Sequence, residues 1–257
     1  MLPISTDPKL NHLLGAIPAA EWARFAPHLT PVNMVLGDVI YEPGSDQPWV
    51  YFPTDSIVSL LYVMEDGSSA EIAIVGCEGL VGISLFMGGS TTPSRAVVQS
   101  AGHAFRMRAQ FIRDEFFLAG PVQQLFLCYT QALLTQMGQT AVCNRHHSVD
   151  QQMCRWLLMS LDRLSSNKLT MTQELIANML GVRREGVTEV AGNLQRAGLI
   201  EYKRGQITVL DRPKLELRAC ECYEVVRKEF ARLLPWESGR VSPPAKASRK
   251  AIESSGH

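Results

Sequence analysis

Leu169-Thr170-Met171-Thr172-Gln173-Glu174-Leu175-Ile176-Ala177-Asn178-Met179-Leu180-Gly181-Val182-Arg183-Arg184-Glu185-Gly186-Val187-Thr188-Glu189-Val190 is the run that decides how this chain is read. A hydroxyl residue three or four positions before Glu174 can cap a helix that continues through Leu175–Leu180. Gly181 then stops that helix, as a left-handed C-terminal position requires. A second helix opens at Val182, turns Val187, Val190 and Leu194 inward, and runs to Ala197-Gly198. Two helices joined by a tight glycine turn, the second opening on adjacent arginines, make a helix-turn-helix pattern.

The next residues strengthen this. Leu199-Ile200-Glu201-Tyr202 and Gln206-Ile207-Thr208-Val209-Leu210 alternate as strands, joined by Lys203-Arg204-Gly205. They predict a two-stranded wing with a basic tip. In such a motif the first turn of the second helix enters the major groove, so Arg183, Arg184, Glu185 and Thr188 are candidates for base edges. Lys203 and Arg204 suit phosphates, as do Thr170, Thr172 and Gln173 near the start of the first helix. The plainer alternative, a helical hairpin with a solvated charged face, explains neither the wing nor the charge around it.

That charge is segregated. The 257 residues carry 25 basic and 25 acidic side chains, a formal net charge of zero. Residues 1–120 hold 6 Lys+Arg against 12 Asp+Glu, a net of −6, and residues 121–257 hold 19 against 13, a net of +6. An acidic front and a basic back imply two domains with different partners. A hydrophobic fraction of 46% excludes a disordered chain, and the length supports one large or two ordinary domains with real cores. Met1-Leu2-Pro3-Ile4-Ser5-Thr6-Asp7 has no basic or apolar signal region, and no stretch approaches about 18 uninterrupted apolar residues. The scattered Cys77, Cys128, Cys143, Cys154, Cys220 and Cys222 read as reduced thiols, so a cytoplasmic protein off the membrane is expected.

Residues 8–29 read as two short helical pieces. Val32–Leu36, Val39–Tyr41, Val50–Phe52, Ile57–Met64, Ala70–Val75, Arg95–Gln99 and His103–Met107 are candidate strands, which predicts an antiparallel sandwich or barrel. Asp66-Gly67 is the best hairpin signal. The period then turns helical over 109–118 and from Pro121 to about Arg145. On this long helix Val122, Leu125, Phe126, Tyr129, Leu133 and Met137 form an apolar stripe, read as a homodimer seam. Further helices are expected over about 149–164 and 212–234. The tail from Pro235 to His257, rich in Ser, Pro, Gly and Lys, is expected to be disordered.

From about residue 10 to 234 the chain resembles the Crp/Fnr family of bacterial transcription regulators. The similarity rests on Gly37-Asp38-Val39-Ile40-Tyr41-Glu42-Pro43-Gly44, on Val50-Tyr51-Phe52 and Ile57-Val58-Ser59-Leu60, and on Gly181-Val182-Arg183-Arg184-Glu185-Gly186-Val187. It implies an α+β chain: an N-terminal antiparallel, jelly-roll-like β-roll with flanking helices over 8–120, a dimerisation helix over 121–147 and a C-terminal winged helix-turn-helix over 148–234. It also implies double-stranded DNA, a second copy of the chain and RNA polymerase as partners, and matches Arg184 and Glu185 to the family's base-contacting pair. A further arginine of the family falls on Glu189 here, so the operator need not be the same.

The family's nucleotide-binding cassette corresponds to Glu78-Gly79-Leu80-Val81-Gly82-Ile83 and Pro93-Ser94-Arg95-Ala96. Gly79 and Gly82 are present, but Leu80 stands where a ribose-binding glutamate is needed and Arg95 aligns only across a gap. Cyclic AMP is therefore disfavoured, and Gly79, Leu80, Gly82 and Arg95 are left as candidates for an unknown small anionic effector. Cysteines near the N-terminus, which an iron–sulfur cluster of the family's kind requires, are missing before Cys77. Cys143 and His147 lie four apart, and two copies in a dimer would supply four metal ligands. Cys220 and Cys222, two apart on an expected helix, do not face each other, so no metal is assigned. No P-loop, Gly-x-Ser-x-Gly or His-Glu-x-x-His is present, and no enzyme is expected. The competing class is a β-roll interaction or ligand-sensing module without specific DNA readout.

Overall fold

The computed structural model describes residues 7–234, and the tail expected to be disordered lies outside them. Between Thr30 and Arg108, short β-branched and aromatic runs form seven strands: β1 (Thr30–Met34), β2 (Val39–Tyr41), β3 (Trp49–Pro53), β4 (Ile57–Val63), β5 (Ser69–Val75), β6 (Arg95–Ser100) and β7 (Gly102–Arg108). They pair antiparallel in two sheets, ordered β1-β7-β3 and β2-β6-β4-β5. The β4–β5 hairpin turns on Asp66-Gly67, with Gly67 at φ +83° and Asp66 Oδ1 accepting from the Ser68 amide at 2.9 Å. Val50, Phe52 and Met107 of one sheet share a buried core with Val58, Ile74 and Val98 of the other.

Four helices close this roll: α1 (His12–Gly15), α2 (Ala19–Phe25), α3 (Ala109–Phe117) and α4 (Pro121–His146). Asn11, fully buried, caps α1 through Leu14 N and donates to the carbonyls of Pro53 and Gly79 at 2.8 Å each. Phe25, Phe111 and Phe126 pack edge to face. The stripe read as a dimer seam is used differently. Val122, Phe126, Tyr129 and Leu133 are at most 2% exposed within a single chain, and Leu125 and Met137 pack against the same core. Val122, Phe126, Tyr129 and Leu133 are therefore spent within the chain, while Leu125 and Met137 keep part of their surface. The opposite face of α4 leaves Leu127, Leu134 and Val142 about half exposed.

Past Ser148, whose hydroxyl and Gln151 form a capping box, α5 (Val149–Leu161) is buried from Gln152 to Leu161. Then come β8 (Lys168–Thr170), α6 (Gln173–Leu180), α7 (Arg184–Arg196), β9 (Ile200–Lys203), β10 (Gln206–Val209), α8 (Arg212–Arg218) and α9 (Glu221–Leu233). The wing has three strands, ordered β8-β10-β9, where two are expected. Lys168–Thr170 is too short to announce itself, and pairing with Gln206–Thr208 creates it. The single helix expected over 212–234 is two. Ala219 and Cys220 are extended, at ψ 156° and 166°, because Arg218 is drawn to Asp150 at 2.6 Å while Cys220 turns toward Cys143.

The two halves are joined by buried polar groups. Arg163, just beyond α5, pairs with Glu78 at 2.7 Å, with side chains 7% and 5% exposed. Its remaining nitrogens reach the Met159 carbonyl at 2.7 Å and Gln136 Oε1 at 3.0 Å. Gln136 in turn donates to the Ile74 carbonyl at 3.0 Å. Nearby, the Ser59 hydroxyl lies 2.5 Å from Glu71 and 2.8 Å from Gln99, which donates to Ser160. A Cβ built on Gly181, at the end of α6, would lie 3.4 Å from the Ala70 methyl of β5.

Arg163→Met should lower unfolding free energy by about 3–5 kcal/mol in urea titrations, because Glu78 is left charged and buried. The double variant with Glu78→Gln should recover most of that loss. Burial pushes the Glu71 carboxyl from 4.5 up to about 7, opposed by the Ser59 hydroxyl and the charges of Arg155 and Arg163. The fold therefore keeps a proton that the unfolded chain releases. This contribution is fully present below about pH 4.5 and is lost, by about 3 kcal/mol in all, as pH rises through about 7. Glu71→Gln should flatten the stability profile between about pH 5 and pH 8.

Candidate nucleic-acid interface

Thr172 caps α6 by accepting from Leu175 N at 3.2 Å, and Gly181 ends it at φ +65°. Arg183 is the extended residue before α7, at ψ 145°, and its side chain takes no part in capping. Arg184 and Glu185 follow in the first helical turn, and all three are exposed. Val187, Val190, Ala191 and Leu194 face inward, so the polar side of α7 is the outward one. The Thr188 hydroxyl lies 2.7 Å from Gln173 Oε1 and 3.0 Å from the Arg184 carbonyl, tying the two helices together.

The wing turns through Arg204 at φ +52° and Gly205 at φ +76°, both left-handed, the pattern of a tight type I′ hairpin. Glycine meets that demand without strain, whereas arginine there is unusual. Arg184, Thr172, Gln173, Tyr202, Arg204 and Gly205 line a shallow cleft of about 310 Å³ between recognition helix and wing. Thr170, Lys203 and Arg204 line a second one with Glu201, Gln206 and Thr208. Tyr202 is a member that sequence reading missed. Its hydroxyl donates to the Met171 carbonyl at 2.8 Å, and burial pushes it above its usual range while the Arg184 charge pulls it down. Its alternation in a strand marked it only as half-buried. Arg183, Arg184, Lys203 and Arg204 make no ion pair among the described residues, whereas many other arginines do.

The cassette-like segment is arranged otherwise. Glu78 is held by Arg163. A Cβ on Gly79 would lie 2.1 Å from the Tyr129 ring, and the Tyr129 hydroxyl donates to the Leu80 carbonyl at 3.0 Å. Leu80 and Gly82 line a cavity of about 90 Å³ with Tyr41, Tyr62, Ser84 and Ser94, and no charged side chain lines it. Arg95 lies outside that lining and pairs with Glu42 at 3.0 Å. The anionic effector expected at these residues thus has no cation to meet it in this cavity.

Residues 151–218 match the family model of the Crp-like helix-turn-helix domain. The segment is a Crp-like helix-turn-helix domain. Around it the chain has the fold of Crp/Fnr transcription regulators. FixK2 from Bradyrhizobium japonicum is similar at 15% identity and TM-score 0.62, over 75% of this chain and 98% of that one. The c-di-GMP-responsive global regulator CLP from Xanthomonas campestris is similar at 15% and 0.60, over 76% and 100%. A CRP/FNR-family transcriptional regulator from Thermus thermophilus gives 22% and 0.59, over 74% and 98%. Among proteins of curated function none matches in sequence. Among the described residues, no helix is long and apolar enough to cross a membrane.

Because its backbone is strained, Arg204→Asn should hold or raise folding stability, by up to about 1 kcal/mol. The same change should weaken DNA binding evenly across sequences and lower its salt slope by about 1, read by anisotropy at several salt concentrations.

Proposed function

We propose that the chain is a sequence-specific, DNA-binding transcription regulator that acts as a homodimer. The carrying observation is the set of four cations, Arg183, Arg184, Lys203 and Arg204, exposed on one Crp-like helix-turn-helix and wing and committed to no carboxylate. Arg184 forks onto guanine and Glu185 accepts from cytosine, with Arg183 and Thr188 at neighbouring edges. Lys203 and Arg204 hold phosphates, with Thr170, Thr172 and Gln173 around them. Two copies pair along the outer face of α4, where Leu127 and Leu134 stand seven residues apart beside Val142, and so present two α7 helices to successive major grooves. RNA polymerase is the further partner such a cytoplasmic regulator would address. Binding, not catalysis, is the role of these side chains.

The β-roll is the unit that would receive a signal. Its hydroxyl-lined cavity favours a small uncharged effector over a cyclic nucleotide or dinucleotide, whose phosphates would find no cation there. Such an effector acts only if it binds two arrangements of the chain unequally.

Anisotropy titration with the chain's own promoter DNA tests the reading. Arg184→Ala should cost about 1–3 kcal/mol and relax specificity at one base pair of each half-site. Leu134→Asp should yield monomers in light scattering and weaken binding to the full site. Binding that ignores salt and survives Arg184→Ala would favour a β-roll interaction module without specific readout.

A further inference from the structure

Where the end of α4 meets the start of α9, Cys143, His147, Cys220 and Cys222 converge. Cys143 Sγ is 3.5 Å from Cys220 Sγ, and Cys222 Sγ is 3.5 Å from His147 Nδ1. All four donor atoms lie within 4.8 Å of one another. The three cysteines are 0%, 5% and 1% exposed and form a cluster of their own, apart from the main core. Cys220 and Cys222 do not diverge as two residues inside one helix would. Cys220 precedes α9 with extended backbone, so its side chain swings to the same side as that of Cys222.

We propose that these residues bind one zinc ion per chain and so clip α9 to the end of α4. A tetrahedral zinc with bonds of about 2.3 Å to sulfur and about 2.0 Å to nitrogen has edges of about 3.8 Å between sulfurs and about 3.5 Å from sulfur to nitrogen. The two contacts at 3.5 Å already approach those edges, and the widest separation must close by about 1 Å. Three thiolates and an imidazole suit a borderline-soft ion and disfavour magnesium or calcium.

Two observations outside the cluster point the same way. His147 turns Nδ1 toward Cys222 while its Nε2 lies 3.3 Å from Glu221, the carboxylate–histidine arrangement that fixes the tautomer a metal ligand needs. Arg155 is 4% exposed, its Nε has no partner, and its Nη1 meets only Thr140 Oγ1 at 3.2 Å and Met159 Sδ at 3.4 Å. No carboxylate forms an ion pair with it among the described residues; its charge reaches Glu71, whose burial favours the neutral acid, as well as Cys143 and Cys222. A buried guanidinium without a counter-ion is costly. Three thiolates, a neutral imidazole and a divalent ion sum to −1, which supplies one, and the three thiol protons leave to solvent on binding.

The site lies beside the Ser148 elbow, where the chain passes from α4 into the helix-turn-helix half, and would fix the angle between them. The full chain, purified reduced, should hold one zinc by elemental analysis. Metal-free chain titrated with Co²⁺ should develop thiolate-to-cobalt charge transfer and the intense visible bands of tetrahedral S₃N coordination, both erased by one equivalent of Zn²⁺. Cys222→Ser and His147→Ala should weaken cobalt binding at least tenfold, and Cys128→Ser should leave it unchanged. A wild-type chain that binds no cobalt, a spectrum indifferent to Cys222→Ser, a Cys143–Cys220 disulfide in freshly isolated zinc-free protein, or iron–sulfur absorption would each overturn the proposal. If a variant does not fold, the wild-type cobalt spectrum decides, because its charge-transfer intensity counts the thiolates.

Discussion

The ion pair between Glu78 and Arg163, almost out of reach of water, is the constraint on which the rest of the structure depends. Two charges that deep are tolerable only if every remaining polar atom near them is satisfied. Glu78 also accepts from Gly76 N, and Arg163 from the other half is shared with Gln136 of α4 and the Met159 carbonyl. Position 76 must be glycine, since a Cβ there would lie 2.7 Å from Arg163 Cβ. Three elements of the chain therefore meet at one guanidinium. The loop that resembles a nucleotide cassette is thereby turned to joining the halves, with the Tyr129 ring packed against Gly79.

Much of this was legible in sequence because it is local. Alternation between Gly and Pro turns located the strands, and hydroxyl caps with Gly181 located the helix-turn-helix. What escaped was created by contacts between distant residues. Lys168–Thr170 becomes a strand only by pairing with Gln206–Thr208. The break at Ala219-Cys220 carries no proline or glycine and follows from Asp150 and Cys143, roughly seventy residues upstream in each case. The stripe on α4 was read correctly as apolar, but periodicity cannot say which of two apolar faces a helix keeps for itself.

That helix explains why a chain of neutral overall charge can carry opposed halves. Its inner face, from Val122 to Leu133, completes the core of the acidic roll. Its carboxyl end carries the basic half through the Ser148 elbow, and α9 folds back along it through Gln131 and Glu229. The two halves are thus welded along one rod.

Gly181 stands against Ala70 at the place where the helix-turn-helix leans on the roll. The same glycine must be left-handed for the turn to close. Two unrelated demands on one position leave it almost no freedom, whereas Arg183, Arg184 and Glu185, a few residues away, are exposed and form no ion pair among the described residues. The preferred DNA word of such a protein can therefore drift over evolutionary time while the hinge that delivers it stays fixed.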